Sequence, residues 1–168
     1  MSTKTRLIFA LFLLMGTLAK TIAAQVEPVA TAAANGPATF TNPLNDSGPD
    51  PWVTWHEGYY YLAATTWGDS SLGLTMRKAG TIQGLKVAEP VQIWRDDTVD
   101  RCCNFWAPEF FLLDGPNGLR WYGYFTGGAA GTDFVKTQFM HVIESAGTDP
   151  MGPYSYKGKL VERNALDG

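Results

Sequence analysis

Charge is scarce in this sequence, and basic clusters are absent from it. Asp, Glu, Lys and Arg make up 17% of the 168 residues, whereas 45% are hydrophobic and 13% are aromatic. A disordered chain needs the reverse balance, so this composition excludes one. The 13 Lys and Arg residues are outnumbered by 16 Asp and Glu, which gives a net charge of −3. Because binding to nucleic acid depends on clustered Lys and Arg, the sequence argues against that partner.

Long hydrophobic runs are missing outside the N-terminus. Residues 7–19 form an apolar run behind Lys4 and Arg6, but the run is shorter than the ~20 residues that cross a bilayer. This pattern predicts a secretory signal peptide over residues 1–24, and an uncleaved membrane anchor is the alternative. Cleavage would remove Lys4, Arg6 and Lys20 and lower the net charge from −3 to −6. The mature protein is therefore predicted to be secreted and extracellular, with no membrane partner.

Cysteine is limited to one adjacent pair, Cys102 and Cys103. An even number of cysteines in an oxidising compartment favours a disulfide, but neighbouring residues can pair only through an eight-membered ring. Three states stay open from the sequence: a vicinal disulfide, buried free thiols, or a bond to a cysteine outside these residues. Asn45 begins an Asn-Asp-Ser glycosylation sequon, and the sequence does not decide whether it is used.

Glycine, proline and aromatic residues are what the chain has in quantity. Its 18 Gly and 10 Pro are typical of tight turns, and its 6 Trp, 7 Tyr and 9 Phe are typical of strands. The pattern predicts an all-β domain without a convincing amphipathic helix, preceded by a linker over residues 25–40. The predicted strands are 52–55, 59–66, 72–77, 92–94, 110–113, 119–126 and 139–145.

Two predicted hairpins resemble each other and indicate a repeat. Residues 56–58 turn the first hairpin and residues 114–118 turn the second, and both turns contain glycine, which tolerates positive φ. Asp50 precedes the first hairpin, Glu109 precedes the second, and Asp167 lies near the end of the chain, at intervals of 59 and 58 residues. Each acid is predicted to lie just before a strand or at its start. A repeat of this length is typical of β-propeller blades, and coincidence among sixteen acids is the alternative.

A propeller would bring these three acids together. The innermost strand of each blade lines the central axis, so an acid at the same place in successive blades points toward one common pocket. Asp50, Glu109 and Asp167 would then converge although they lie far apart in the sequence. Converging carboxyl groups are the arrangement that glycoside hydrolysis requires.

Four ordered groups of residues within 41–168 share their pattern with one enzyme family. They are 46–53 with 58–62 and 64–67, then 101–110 with 113–118, then 141–147 with 149–154, and finally 164–168. Together they resemble glycoside hydrolase family 43, in particular its exo-α-1,5-L-arabinofuranosidase type. The resemblance implies a five-bladed β-propeller domain that begins at residue 41. This chain would be an N-terminal fragment of it, with two blades and the start of a third.

The resemblance also implies an inverting mechanism carried by three carboxyl groups. Asp50 aligns with the general base that deprotonates water, and Asp167 aligns with the acid that modulates the pKa of the proton donor. The donor is a Glu of the fourth blade, absent from this chain, so the chain alone is expected to be inactive.

Four side chains in the matched motifs are the candidates for sugar contact: Trp67, Phe105, Trp106 and Glu109. The aromatic faces suit the CH faces of a pentose ring, and Glu109 has the family's position beside the pocket. Phe111 departs from the family's pattern, which has His there.

No cofactor is expected to be required. Some relatives hold calcium on the propeller axis, but no ligand spacing here supports a metal site.

Two functions of different classes follow from these features. The first is a secreted glycoside hydrolase that removes α-L-arabinofuranosyl units from arabinan or arabinose-containing plant polysaccharide, as a monomer when complete. Its partner is then an arabino-oligosaccharide or polysaccharide substrate. The alternative is a non-catalytic carbohydrate-binding or degenerate propeller fragment, and the proton donor discriminates between the two. Exo or endo action, arabinose or xylose specificity, and the origin of the truncation stay open.

Overall fold

The part of the protein that the structure describes is folded into two four-stranded antiparallel sheets. The structure is a computed structural model that describes residues 39–66, 73–131 and 134–161. All of these residues belong to one compact unit, 38–168. None of the helices within them is long and apolar enough to cross a bilayer. The predicted signal peptide lies outside the described residues.

The first sheet runs from Trp52 to Trp94, and its strands are hydrogen-bonded in chain order. They are β1 (Trp52–His56), β2 (Tyr59–Ala63), β3 (Leu74–Ala79) and β4 (Val91–Trp94). A short helix, α1 (Ile82–Leu85), connects β3 to β4 and is capped by the Thr81 side chain, which accepts a hydrogen bond from the Gly84 N–H.

The second sheet has the same strand order and the same antiparallel pairing. Its strands are β5 (Cys103–Gly115), β6 (Gly118–Gly128), β7 (Phe139–Ser145) and β8 (Tyr154–Lys159). A four-residue helix, α2 (Phe134–Thr137), lies between β6 and β7. The prediction of an all-β fold with two blades is therefore confirmed. The start of a third blade, at residues 162–168, lies outside the described residues.

Both predicted hairpins are present, and their turns follow from local backbone chemistry. Glu57 and Gly58 connect β1 to β2 with φ angles of 45° and 85°, and a two-residue turn of this kind requires two positive φ values. Gly118, which begins β6, has a φ of 79°. In the middle of β6, a Cβ on Gly123 would lie 2.6 Å from Cε1 of Phe110, so only glycine fits between β5 and β7 there.

Strand β5 is much longer than the predicted strand 110–113. It begins at Cys103, and its pairing with β6 shifts register before Trp106 and again before Glu109. Such bulges bend a strand and increase its twist. The expectation that Glu109 lies at the start of a strand is therefore wrong, because six residues of β5 precede it.

The hydrophobic core lies between the two sheets. The first sheet contributes Tyr61, Ala63, Leu74, Met76 and Ile93, and the second contributes Phe105, Phe110, Trp121, Phe125 and Ile143. Across the junction, the Trp52 ring lies 5.0 Å from the Phe110 ring and 6.1 Å from the Trp121 ring. Burying each large apolar side chain contributes about 1.5–3 kcal/mol, so this junction holds β1 firmly against β5.

A second set of contacts joins the outer parts of the two sheets. The Trp94 ring of β4 stacks on Tyr156 of β8 at 6.4 Å, and the Arg101 guanidinium lies 4.2 Å from the same Tyr156 ring. The Tyr156 hydroxyl in turn lies 3.0 Å from Nδ1 of His141, which has no exposed surface. These contacts fix the loop between the sheets, which leads directly into β5.

Cys102 and Cys103 are bonded to each other as a vicinal disulfide at the start of β5. Of the three states left open by the sequence, the structure has the first. Cys102 is 9% exposed and Cys103 is 2% exposed, so the bond is covered by the surrounding chain.

Glu144 of β7 is buried and has three hydrogen-bond donors. Nζ of Lys157 lies 2.8 Å from Oε2, the Asn117 side-chain amide donates at 2.9 Å to Oε1, and the Tyr122 hydroxyl donates at 2.8 Å. Lys157, Asn117 and Tyr122, in that order of effect, lower the pKa of Glu144 from 4.5 to about 2.

This network predicts a pH-dependent contribution to folding. Because the pKa of Glu144 is lower in the folded state than in the unfolded one, its stabilisation is full above about pH 4.5 and is lost as the pH falls toward 2. We therefore expect the free energy of unfolding of the complete gene product to fall more steeply between pH 4.5 and 2 than that of its Glu144→Gln variant. Urea unfolding curves across this range measure both, and parallel pH profiles would disprove the assignment.

Candidate active site

Asp50 lies at the junction of the two sheets, two residues before the start of β1. It lines a cleft of about 260 Å³ together with residues from both sheets, namely Pro51, Trp52, Ala107, Pro108 and Glu109. The two acids that the repeat singles out thus line the same cleft, although Asp50 precedes β1 and Glu109 lies within β5. Asp50 and Glu109 are both exposed, so their carboxylates are accessible to a ligand that enters this cleft.

One hydroxyl group holds the carboxylate of Asp50. Thr65 Oγ1, two residues beyond the end of β2, donates a hydrogen bond to Asp50 Oδ2 at 2.7 Å. The same hydroxyl accepts a hydrogen bond from the backbone N–H of Ala107 in β5 at 2.9 Å. Thr65 is 7% exposed, so this contact between the sheets is shielded from water.

The backbone around the cleft is strained. Asp50, Asn104 and Ala107 have φ angles of 51°, 54° and 46°, which is the left-handed region that favours glycine. Each such residue costs about 1–3 kcal/mol, and strained residues concentrate at functional sites. The fourth non-glycine residue with positive φ among the described residues, Glu57, belongs instead to the β1–β2 hairpin turn.

Glu109 lies in β5 opposite Tyr124 of β6 and faces a second, larger depression as well. This depression, about 460 Å³, is lined by Ala107, Glu109, Phe111, Leu113, Tyr124 and Met140. Phe111, where the family resemblance implies His, packs edge-on against Tyr124 with ring centres 5.9 Å apart. The carboxylate of Glu109 can accept hydrogen bonds from ligand hydroxyls on either side, whereas Phe111 offers only an apolar face.

The remaining predicted site residues fall in three different situations. Trp106 lies in β5 and is half-buried, next to the strained Ala107. Phe105 is 1% exposed and packs against Phe125 with ring centres 5.6 Å apart, so it is a core residue with no face left for a sugar. Trp67 and Asp167 lie outside the described residues.

Thr65 is a residue of the candidate site that the sequence did not single out. It lies within the matched stretch 64–67, but a threonine after a strand has no pattern that assigns it to a particular carboxylate. The contact spans 15 residues to Asp50 and 42 residues to Ala107, so it becomes visible only when the two sheets are placed side by side.

No metal centre is found in the part of the chain that the structure describes. Groups of three or more His, Cys, Asp or Glu side chains that could hold an ion do not occur there. The expectation that no cofactor is required stays a prediction.

A family profile matches all of the chain beyond the predicted linker. The profile of the glycosyl hydrolases family 43 matches residues 40–168. This span includes both sheets and the cleft between them.

Two curated relatives are similar to the chain over the same region. It is 36% identical over 135 residues to an extracellular exo-α-(1→5)-L-arabinofuranosidase of Streptomyces avermitilis, covering 79% of this chain and 26% of that protein. It is 32% identical over 136 residues to α-L-arabinofuranosidase 43 of Humicola insolens, with the same coverage of 79% and 26%. The chain therefore spans about a quarter of the length of these relatives.

Solved structures share the arrangement of the two sheets. An α-L-arabinofuranosidase from Lactobacillus brevis superimposes with a TM-score of 0.61 at 27% identity, over 74% of this chain and 39% of that one. A Bacillus subtilis arabinanase superimposes with a TM-score of 0.53 at 14% identity, over 73% and 41%. The second comparison concerns the fold alone, and both indicate that the two sheets form part of a larger domain.

Proposed function

Because the chain belongs to the glycosyl hydrolases of family 43, we propose that it is the N-terminal part of a hydrolase acting on arabinan. The complete enzyme removes α-L-arabinofuranosyl units from arabinan or from arabinose-containing plant polysaccharide. The position of Asp50 carries this proposal: the residue is exposed, its backbone is strained, and its carboxylate is held by a buried hydroxyl in a cleft built by both sheets.

Asp50 acts in this proposal as the general base of an inverting reaction. It removes a proton from a water molecule, which attacks the anomeric carbon from the face opposite the leaving oxygen. Asp167 modulates the pKa of the proton donor. The donor is a Glu in the part of the relatives' length that this chain does not span. In inverting enzymes the acid and base lie about 6.5–9.5 Å apart, which leaves room for the water.

The sugar is held beside Asp50 by residues of the second sheet. Glu109 accepts hydrogen bonds from hydroxyl groups of the arabinofuranosyl unit, since its carboxylate is exposed at the same cleft. Trp106 and Trp67 provide aromatic surface for the CH faces of the sugar. Phe105 is left out of this set because it is buried in the core.

We also propose that the protein is exported. Two observations support this, the disulfide between Cys102 and Cys103 and the similarity to a relative named as extracellular, and the signal peptide predicted over residues 1–24 agrees with them. Disulfides form and persist in oxidising compartments, so a covered disulfide fits a secreted protein. The complete enzyme then works as a monomer without a cofactor.

Incubating the complete gene product with linear α-1,5-arabino-oligosaccharides tests the proposed activity. We expect release of arabinose, measured by chromatography, and little release of xylose from xylo-oligosaccharides of the same length. Binding of the arabino-oligosaccharides in calorimetry without any turnover would instead support a non-catalytic carbohydrate-binding protein. Neither binding nor turnover would disprove both functions.

A further inference from the structure

We propose that Thr65 is a positioning residue that fixes the general base through a relay from the second sheet. The relay runs from the Ala107 N–H to Thr65 Oγ1 and from there to Asp50 Oδ2. This inference rests on the proposed function of Asp50. It adds that the position of the Asp50 carboxylate depends on how the two sheets pack against each other. Thr65 itself touches neither substrate nor water in this proposal.

The directions of both hydrogen bonds follow from the chemistry of the groups. A backbone N–H can only donate, so Ala107 occupies one lone pair of the Thr65 hydroxyl. The hydroxyl has a single hydrogen, and the carboxylate oxygen of Asp50 lies 2.7 Å away as an acceptor. The Thr65 hydrogen therefore points at Oδ2 of Asp50. The hydrogen of the other bond belongs to the Ala107 N–H.

The backbone around Thr65 is held on both sides, which gives the hydroxyl little freedom to move. The N–H of Thr65 donates to the carbonyl of Pro49 at 3.0 Å, one residue before Asp50. The N–H of Thr66 donates to the carbonyl of Phe105 in β5 at 2.9 Å. Residues 65–66 thus connect the segment that carries Asp50 to the bent part of β5.

This arrangement fixes the orientation of the carboxylate. The hydrogen bond from Thr65 uses one lone pair of Asp50 Oδ2, whereas both lone pairs of Oδ1 stay outside this contact, so we assign to Oδ1 the proton of the attacking water. A misplacement of about 1 Å in such a geometry can reduce turnover by about 10²-fold. Because the donor to Thr65 is a backbone group of β5, any shift of β5 against β1 moves the base as well.

Two threonine variants of the complete gene product separate a positioning role from a structural one. Thr65→Val keeps the shape and removes the hydroxyl, whereas Thr65→Ser keeps the hydroxyl. We expect Thr65→Val to lower kcat by about 10–100-fold with KM changed less than about threefold. We expect Thr65→Ser to keep kcat within about threefold of the wild type.

The neighbouring threonine provides a matched control. The Thr66 hydroxyl donates to the carbonyl of Gly73 at 3.0 Å and does not touch Asp50. Thr66→Val removes an equivalent hydroxyl one residue further on, and we expect its kcat to stay within about threefold of the wild type. Thr65→Ala serves in place of Thr65→Val if the latter does not fold.

Crystal structures of the wild type and the Thr65→Val variant provide a readout that does not depend on activity. We expect the Asp50 carboxylate to leave its position or to become disordered in the variant. An unchanged, ordered carboxylate, or a kcat for Thr65→Val within threefold of the wild type, would overturn the positioning role. If the wild type is inactive, the proposed function fails, and the crystal comparison still decides whether Thr65 positions Asp50.

Discussion

Replacing Asp50 by asparagine in the complete gene product should lower kcat by about 10²–10⁴-fold, the usual contribution of a general base. Asparagine has the size of aspartate and retains an oxygen that can accept the hydrogen bond from Thr65, so the cleft should keep its shape. It cannot take a proton from water, so the chemical step loses its base. Asp50→Ala should have an effect at least as large.

Substrate binding should survive the loss of Asp50. We expect the dissociation constant for arabinotriose, measured by calorimetry on Asp50→Asn, to stay within about threefold of the wild type, because the base acts in the transition state. Glu109→Gln is the matched control at the other acid of the cleft, and it should change KM more than kcat. Near-normal turnover in Asp50→Asn would remove Asp50 from the role of base.

Replacing Phe105 by alanine should lower the free energy of unfolding by about 3–5 kcal/mol, the range measured for removal of a buried phenylalanine. The Phe105 side chain is 1% exposed and fills the core beside Phe125, so truncation leaves a cavity between the two sheets. The shift of the urea unfolding midpoint measures this loss.

A milder substitution at the same position distinguishes a core residue from a sugar contact. Phe105→Leu keeps most of the apolar volume and should leave the KM for arabino-oligosaccharides within about twofold of the wild type. A stable Phe105→Leu protein with a strongly raised KM would show that Phe105 contacts sugar after all. Little loss of stability in Phe105→Ala would show that it is not a core residue.

Strands with strong local patterns could be predicted from the sequence. The predicted strand 139–145 is the observed β7, and the turn at Glu57 and Gly58 forms the predicted hairpin. β8 was not predicted, although its alternation of Tyr154 and Tyr156 with polar residues is typical of a half-buried strand. β5 begins seven residues earlier than predicted because its bulges hide the alternation.

The site could be predicted only in part, for a different physical reason. Spacing along the repeat indicated Asp50 and Glu109, and both line the cleft between the two sheets, although Asp50 precedes β1 and Glu109 lies within β5. The contact of Thr65 with Asp50 and Ala107 depends on how one sheet packs against the other. No local sequence pattern predicts this packing. An aromatic motif likewise does not reveal which ring turns inward, as Phe105 does, and which stays half-buried, as Trp106 does.

The position of the candidate site depends on the packing of the two sheets. Asp50 comes from the first sheet, whereas the N–H that orients its hydroxyl partner comes from Ala107 in the second. The ring contacts of Trp52 with Phe110 and of Trp94 with Tyr156 hold the two sheets in a fixed position relative to each other. Residues far from the cleft therefore contribute to the position of the proposed base.

The anomeric configuration of the first product tests the proposed mechanism most directly. The complete gene product is mixed with an α-1,5-linked arabino-oligosaccharide, and proton NMR follows the released arabinofuranose before its anomers equilibrate. If Asp50 activates a water that attacks opposite the leaving group, the β-anomer appears first. If the α-anomer appears first, the reaction retains configuration through a covalent intermediate, and Asp50 is not the base of an inverting enzyme.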